Sequence, residues 1–164
     1  MNCRQAFSAI ARCLLAATLL ALAGCAGGDI DDPDNSNAVL SVQKIEPSIV
    51  QAVVAVPANE VVDVTITSFV RAGGGAEFAD VTLTQFRVIY NPPLATGTSS
   101  LTTPITATVP AAGTLTLTGV PVLSSADVPG AVVGSSTTAT LLFEGQDLLG
   151  KPASASGTLT ILFL

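Results

Sequence analysis

From Ala38 onward, Val, Ile, Leu and Phe alternate with Thr and Ser, and turn residues break the alternation roughly every 10 to 20 positions. A period of two marks strands with one buried face, and the 3.6-residue spacing of a helix is absent. The pattern predicts strands over residues 39–46, 49–56, 60–71, 77–90, 104–109, 113–122, 136–144 and 154–163. The breaks fall at Glu46-Pro47, Pro57-Ala58-Asn59, Gly73-Gly74-Gly75, Asn91-Pro92-Pro93, Pro110-Ala111-Ala112-Gly113, Pro129-Gly130 and Gly150-Lys151-Pro152. Gly admits positive φ and Pro fixes φ, so each can end a ladder.

Two strands carry information about register. In 77–90, Val81 and Leu83 share one face while Phe86, Val88 and Tyr90 fall on the other. One bulge near Thr84-Gln85 brings both sets to the same side. In 154–163, Leu159, Ile161 and Phe163 face one way and Thr158 and Thr160 the other, with Leu162 and Leu164 breaking the polar face.

Residues 38–164 amount to one domain, large enough to bury roughly two-thirds of the surface of the unfolded chain. Such strands predict an all-β fold, an antiparallel two-sheet sandwich of about 7–8 strands that hides one apolar face per sheet. The segment from Gly145 through Gly150-Lys151-Pro152 to Thr158-Leu159-Thr160-Ile161 resembles the last two strands of bacterial immunoglobulin-like domains. That resemblance implies an immunoglobulin-like sandwich, although the Cys…Trp…Cys set of antibody-type domains is missing and the chain has no Trp. A small barrel is the alternative, and aromatic girdles for a transmembrane barrel are absent.

Residues 1–24 read differently. Arg4 and Arg12 form a positive n-region, and Cys13 through Ala23 an apolar run of eleven residues. That is shorter than the roughly 20 residues a bilayer span needs, and it sits where a secretory signal belongs. The run ends in Leu22-Ala23-Gly24-Cys25, which resembles the lipobox of bacterial lipoproteins. The resemblance implies cleavage after Gly24, a diacylglyceryl group on the Cys25 sulfur and acylation of the new amine. It also implies a membrane partner held through that lipid. Two or three chains, at about 0.8 kcal/mol per buried methylene, make a firm anchor. Ala26, where Asp would signal retention, implies the outer rather than the inner membrane of a two-membrane envelope.

Processing alters the inventory. Cys3 and Cys13 leave with the signal and Cys25 is consumed by lipid, so the mature chain has no pair of thiols for a disulfide. All twelve acidic residues remain against four basic ones, a formal net charge of four minus twelve, or −8. Nucleic acid and anionic head groups are poor partners for such a surface. Residues 25–37 hold four aspartates and one large apolar residue, too little to bury, and read as an acidic linker. Asp29, Asp31, Asp32 and Asp34 are hard oxygen ligands suited to calcium, but Leu40, Val42 and Gln43 stand where an EF-hand-like loop needs Glu.

With no His and no free Cys, serine and cysteine triads and the usual zinc sites are excluded. Glu60 with Asp63, Glu77 with Asp80 and Glu144 with Asp147 are carboxylate pairs at odd spacing, which places partners on opposite strand faces. Glu144, Asp147 and Asp127 could share a cation if the fold brought them together. Arg71-Ala72-Gly73-Gly74-Gly75 lacks the Gly-Lys-Ser/Thr ending of a phosphate loop. Phe69, Phe86, Phe143 and Phe163 read as core, and Tyr90, beside Asn91-Pro92-Pro93, as an exposed anchor or a rim tyrosine. Thr-x-Thr recurs at 65/67, 82/84, 106/108, 114/116/118, 138/140 and 158/160. These ladders resemble the ice-binding faces of some β-proteins, but their irregular intervals exclude a solenoid and suit a sandwich exterior.

The chain therefore reads as a non-enzymatic envelope lipoprotein, without cofactor, catalytic or metal site, whose domain serves binding, adhesion or scaffolding. The alternatives are a subunit of a surface assembly pairing through an edge strand, and a carboxylate-only hydrolase or calcium-binding module.

Overall fold

The computed structural model describes residues 36–71 and 79–164. The signal segment, Cys25, the aspartates of the linker, Glu77 and the Gly73–Gly75 run lie outside them. The described chain forms eight strands: β1 (Ala38–Glu46), β2 (Ile49–Ala52), β3 (Glu60–Val70), β4 (Val81–Asn91), β5 (Ser100–Val109), β6 (Thr114–Leu123), β7 (Ser136–Asp147) and β8 (Pro152–Phe163). A 3-10 turn, Ser125–Asp127, is capped by the Ser124 hydroxyl.

The strands build a two-sheet sandwich, one sheet ordered β1-β3-β6 and the other β2-β8-β7-β4-β5. Strands adjacent in sequence are thus divided between the sheets: β1, β3 and β6 fall in one, and β2, β4, β5, β7 and β8 in the other. Every pairing is antiparallel except β2 with β8, where four residues run parallel from Ile49↔Thr160 to Ala52↔Phe163. The exception has a simple origin. β1 starts beside the beginning of β8, where Ser36 N–H donates to the Pro152 carbonyl, and passes Gly157 at Val42 and Ile45. After Pro47-Ser48 the chain keeps that direction, crosses to the other sheet and joins β8 as β2.

The bulge expected near Thr84-Gln85 is present: the register of β4 shifts between Leu83 and Gln85 against both β5 and β7. Val81, Leu83, Phe86, Val88 and Tyr90 consequently all face inward and are buried. Phe86 lies opposite Phe143 of β7, with ring centroids 5.8 Å apart. β3 supplies Val62, Val64 and Ile66, and β8 supplies Leu159, Ile161 and Phe163 on one face as expected. These side chains belong to one continuous core.

Several expectations need correction. β4 begins at Val81 rather than 77, and β7 runs on to Asp147 rather than ending at 144. Phe69 is 52 % exposed, because the alternation Val62, Val64, Ile66, Ser68 turns Ser68 inward and Phe69 outward. β2 stops at Ala52 rather than continuing to residue 56, since Val54 N–H goes to the Leu164 carbonyl and Val56 N–H closes a turn onto Val53. β5 begins at Ser100, not 104, with Pro104 inside it. A strand proline is tolerated here because β5 is an edge, paired only with β4, and Pro104 faces Gln85 at the bulge. β8 starts two residues early, at Pro152.

The bulge also fixes a close approach. Gly145 of β7 pairs with Leu83, and a Cβ there would strike the Thr82 carbonyl oxygen and the Leu83 Cα, both backbone atoms that cannot rotate away. Gly145→Ala is therefore expected to cost about 1–3 kcal/mol. Urea unfolding followed by circular dichroism, compared with Gly150→Ala at a turn where nothing lies within 4 Å, separates this clash from the general strain of replacing a glycine.

Candidate functional site

The candidate site is the end of the sandwich at which the chain enters the domain. Three backbone bonds assemble it: Ser36 N–H to the Pro152 carbonyl, Arg71 N–H to the Asn37 carbonyl, and Ser68 N–H to the Gly113 carbonyl. They bring the start of β1, the end of β3, the β5–β6 turn and the β7–β8 turn together. Here the first described residues are built into the fold: Ser36 is buried, and its hydroxyl accepts the Ala38 N–H at 3.0 Å.

The β7–β8 turn is locked by Asp147. Its Oδ1 accepts the N–H groups of Leu149 and Lys151, each at 2.9 Å, while its own N–H donates to the Lys151 carbonyl. Gly150, at φ +77, gives its N–H to the Asp147 carbonyl. Burial acts to raise the Asp147 pKa. The Lys151 and Leu149 amides, the nearby Ser36 hydroxyl and the Lys151 charge outweigh it and leave the group below the ordinary aspartate value. Oδ2 has no partner of good hydrogen-bond geometry among the described residues, so the Ser36 hydroxyl acts on the carboxylate from outside that geometry. The closed turn leaves Leu148 and Leu149 on the surface, 61 % and 54 % exposed.

On the outer face beside this end, Glu144 of β7 meets two side chains of β4. Gln85 Nε2 donates to Glu144 Oε2 at 2.6 Å and Arg87 lies 3.5 Å from the same oxygen. The bulge makes this contact, because it turns Gln85 outward opposite Glu144. A groove of about 330 Å³ runs alongside, walled by Ser36, Val39, Arg71, Glu144, Pro152 and Ser154. Its walls carry charges of both signs and offer hydroxyl and backbone partners, which suits a polar chain segment. The Arg71 and Glu144 side chains and the Ser36 and Ser154 residues are the groups there suited to hydrogen bonds and ion pairing.

The acidic residues do not converge. Glu144 stands on the outer face, Asp147 is buried in its turn, and Asp127 lies at the far end, accepting the hydroxyls of Thr96 and Thr98 at 2.9 and 2.7 Å. Each of the other described carboxylates that forms a hydrogen bond serves the backbone: Asp63 takes the Gly119 N–H and Asp80 the Ala111 N–H. Among the described residues no three of His, Cys, Asp and Glu stand close enough to hold a metal ion. The cation site imagined for Glu144, Asp147 and Asp127 is thereby overturned: the β7–β8 turn and the far-end loop separate the three.

Tyr90 is also misjudged by its neighbours in sequence. It is buried, not exposed, and its hydroxyl donates to the Val122 carbonyl at 3.0 Å, a bond from β4 in one sheet to β6 in the other. Asn91-Pro92-Pro93 marks the end of the strand, but the bulge has already set position 90 inward. Burial, with the Asp127 charge as a second cause, pushes its phenol up to about 12.

The Thr-x-Thr pairs become cross-strand partners. Thr65 with Thr116 and Thr67 with Thr114 lie within 3.4 and 3.3 Å across β3 and β6. Thr138 faces Thr160, and Thr140 faces Thr158, across β7 and β8. The two sets belong to different sheets, so they form two separate exterior faces rather than one ladder. Among residues overlooked from sequence, Leu148 and Leu149 carried a signal. Two large apolar residues stand between the turn formers Asp147 and Gly150, where a turn has no interior to receive them.

Comparison of the chain with protein-family models and with curated proteins gave no match.

The raised Tyr90 pKa makes stability depend on alkaline pH. A phenol neutral in the folded state above its unfolded value contributes stability that is complete below pH 10 and is lost as pH rises toward 12. Tyr90→Phe should remove that dependence and cost about 1 kcal/mol at neutral pH by leaving the Val122 carbonyl unpaired. Tyr90 is the only tyrosine and there is no tryptophan, so tyrosinate absorbance reports this group alone; a midpoint near 10 in the folded protein would contradict the burial argument.

Proposed function

We propose that the protein is an envelope lipoprotein, anchored through lipid on Cys25, whose immunoglobulin-like domain works as a non-catalytic binding, adhesion or scaffold module. The observation that carries this reading is Leu22-Ala23-Gly24-Cys25 following an apolar run, with an acidic linker between it and the first strand. In a two-membrane envelope, Ala26 directs the reading to the outer membrane.

The sandwich suits that role. The chain enters the domain at one end, at Ser36, and the other end displays apolar side chains. Val132 and Val133 are 71 % and 68 % exposed. Val53 and Leu164 join them there, tied by Gly134 N–H to the Phe163 carbonyl and Leu164 N–H to the Ala52 carbonyl. A module tethered at one end and apolar at the other presents its contact surface away from the tether. Assembly by edge pairing is the lesser reading: of the four edges, β5 and β6 carry Pro104 and Pro121, which lack a backbone N–H, and β2 is only four residues long, which leaves β1 as the edge for a further strand.

The test is metabolic labelling with palmitate and membrane fractionation of the wild type and Cys25→Ser. The expected outcome is label and membrane retention in the wild type, with both lost in the variant and the domain recovered soluble and folded. Unchanged retention of Cys25→Ser would overturn the anchor.

A further inference from the structure

The tip of the β7–β8 turn is an oddity in a domain of this composition. Leu148 and Leu149 are adjacent, more than half exposed, and held there by a turn whose backbone bonds are closed through Asp147. A mobile loop could fold such residues back onto the core. This one cannot, because the Leu149 and Lys151 amides share the Asp147 carboxylate and Gly150 takes the positive φ the turn requires.

The position of the tip says what it faces. The first described residue, Ser36, bonds to Pro152 at the base of this same turn. Eleven residue steps separate Cys25 from Ser36; even fully extended these reach only about 36–40 Å. β7 and β8 are each twelve residues long, about 40 Å of strand. The chain therefore enters the domain beside the β7–β8 tip, within the tether's reach of Cys25, while the Val132-Val133 end lies a strand length, ~40 Å, from that entry. Charge agrees with this polarity. Lys44 pairs with Glu46 and Arg87 with Glu144, whereas Arg71 and Lys151, the two mature cations without an ion-pair partner among the described residues, both stand at the tethered end.

We propose that Leu148-Leu149 is a second membrane contact: the two leucines enter the interfacial region of the lipid surface to which Cys25 ties the chain, with Lys151 and Arg71 at the level of the lipid phosphates. The proposal rests on the lipid-anchor reading. Two shallow leucines bind weakly alone, but the covalent tether supplies the second attachment that turns a weak contact into a persistent one. Such a contact fixes the domain upright and holds its far end toward the aqueous space. Because the mature chain is strongly acidic, the contact is apolar in origin and does not depend on anionic lipid.

The lipidated full-length protein, carrying Leu149→Cys labelled with an environment-sensitive fluorophore, tests this in phosphatidylcholine vesicles, with Val132→Cys as the far-end control. Both positions are exposed, so neither substitution disturbs the core. The expected result is co-flotation with vesicles, a blue shift and quenching by lipid-borne quencher at position 149, and an unshifted spectrum at position 132. Flotation without a shift at 149 overturns the second contact and leaves the anchor standing. Equal shifts at both positions overturn the orientation, and so does a shift at 149 without vesicles, which indicates self-association. Failure of the protein to float overturns the anchor and, with it, the proposal.

Discussion

The sandwich depends on the inward phase of β4. Against β7, Thr84 is an extra residue without a counterpart, whereas against β5 the extra residue lies on β5; across this irregularity the inward phase passes from Val81 and Leu83 to Phe86, Val88 and Tyr90. β4 lies between β5 and β7, so its inner face is the floor on which much of the core rests. From it come the Phe86–Phe143 contact and the Tyr90 bond to β6 in the opposite sheet. No cysteine lies among the described residues, so no disulfide there compensates for a misaligned strand. Cohesion then falls to apolar burial, which a one-residue slip would reverse along half of β4.

The same bulge arranges the exterior. By turning Gln85 outward against Glu144 it assembles a polar cluster in which a half-buried carboxylate is met by two side chains of a neighbouring strand. By requiring Gly145 across from Leu83 it lets β7 approach closely just before Asp147. Asp147 then closes the turn and, with Ser36, ties the start of the domain to it. Core register, groove wall and the closed β7–β8 turn thus meet around one irregularity in β4.

The strands and their order of inward positions were legible because a period of two survives wherever one sheet face is buried. Even the bulge was legible, from the phase break between Leu83 and Phe86. What escaped depended on facts outside the local pattern. Phe69 looks like core by composition, yet the phase of β3 gives the interior to Ser68. Pro104 looks like a strand boundary until β5 is known to be an edge. Tyr90 looks like a rim residue beside two prolines, yet the bulge places it inside. Of the candidate residues, Cys25 stands out in the sequence as the end of Leu22-Ala23-Gly24-Cys25 and lies outside the described residues. The convergence of Ser36, Asp147 and the β7–β8 turn required knowing that β1 runs beside β8.

The central physical claim is that the shared inward phase of Val81, Leu83, Phe86, Val88 and Tyr90 along β4, rather than the strand's length or hydrophobicity, holds the sheets together. Thermal unfolding of two single-residue deletions tests it most directly. Deleting Thr84 removes the bulge but leaves Leu83 and Phe86 both inward, so the chain should keep one cooperative transition. Deleting Arg87 leaves the bulge but inverts Val88 and Tyr90, so cooperative unfolding should be lost. Comparable transitions for both deletions, or collapse of the Thr84 deletion with survival of the other, would contradict the claim.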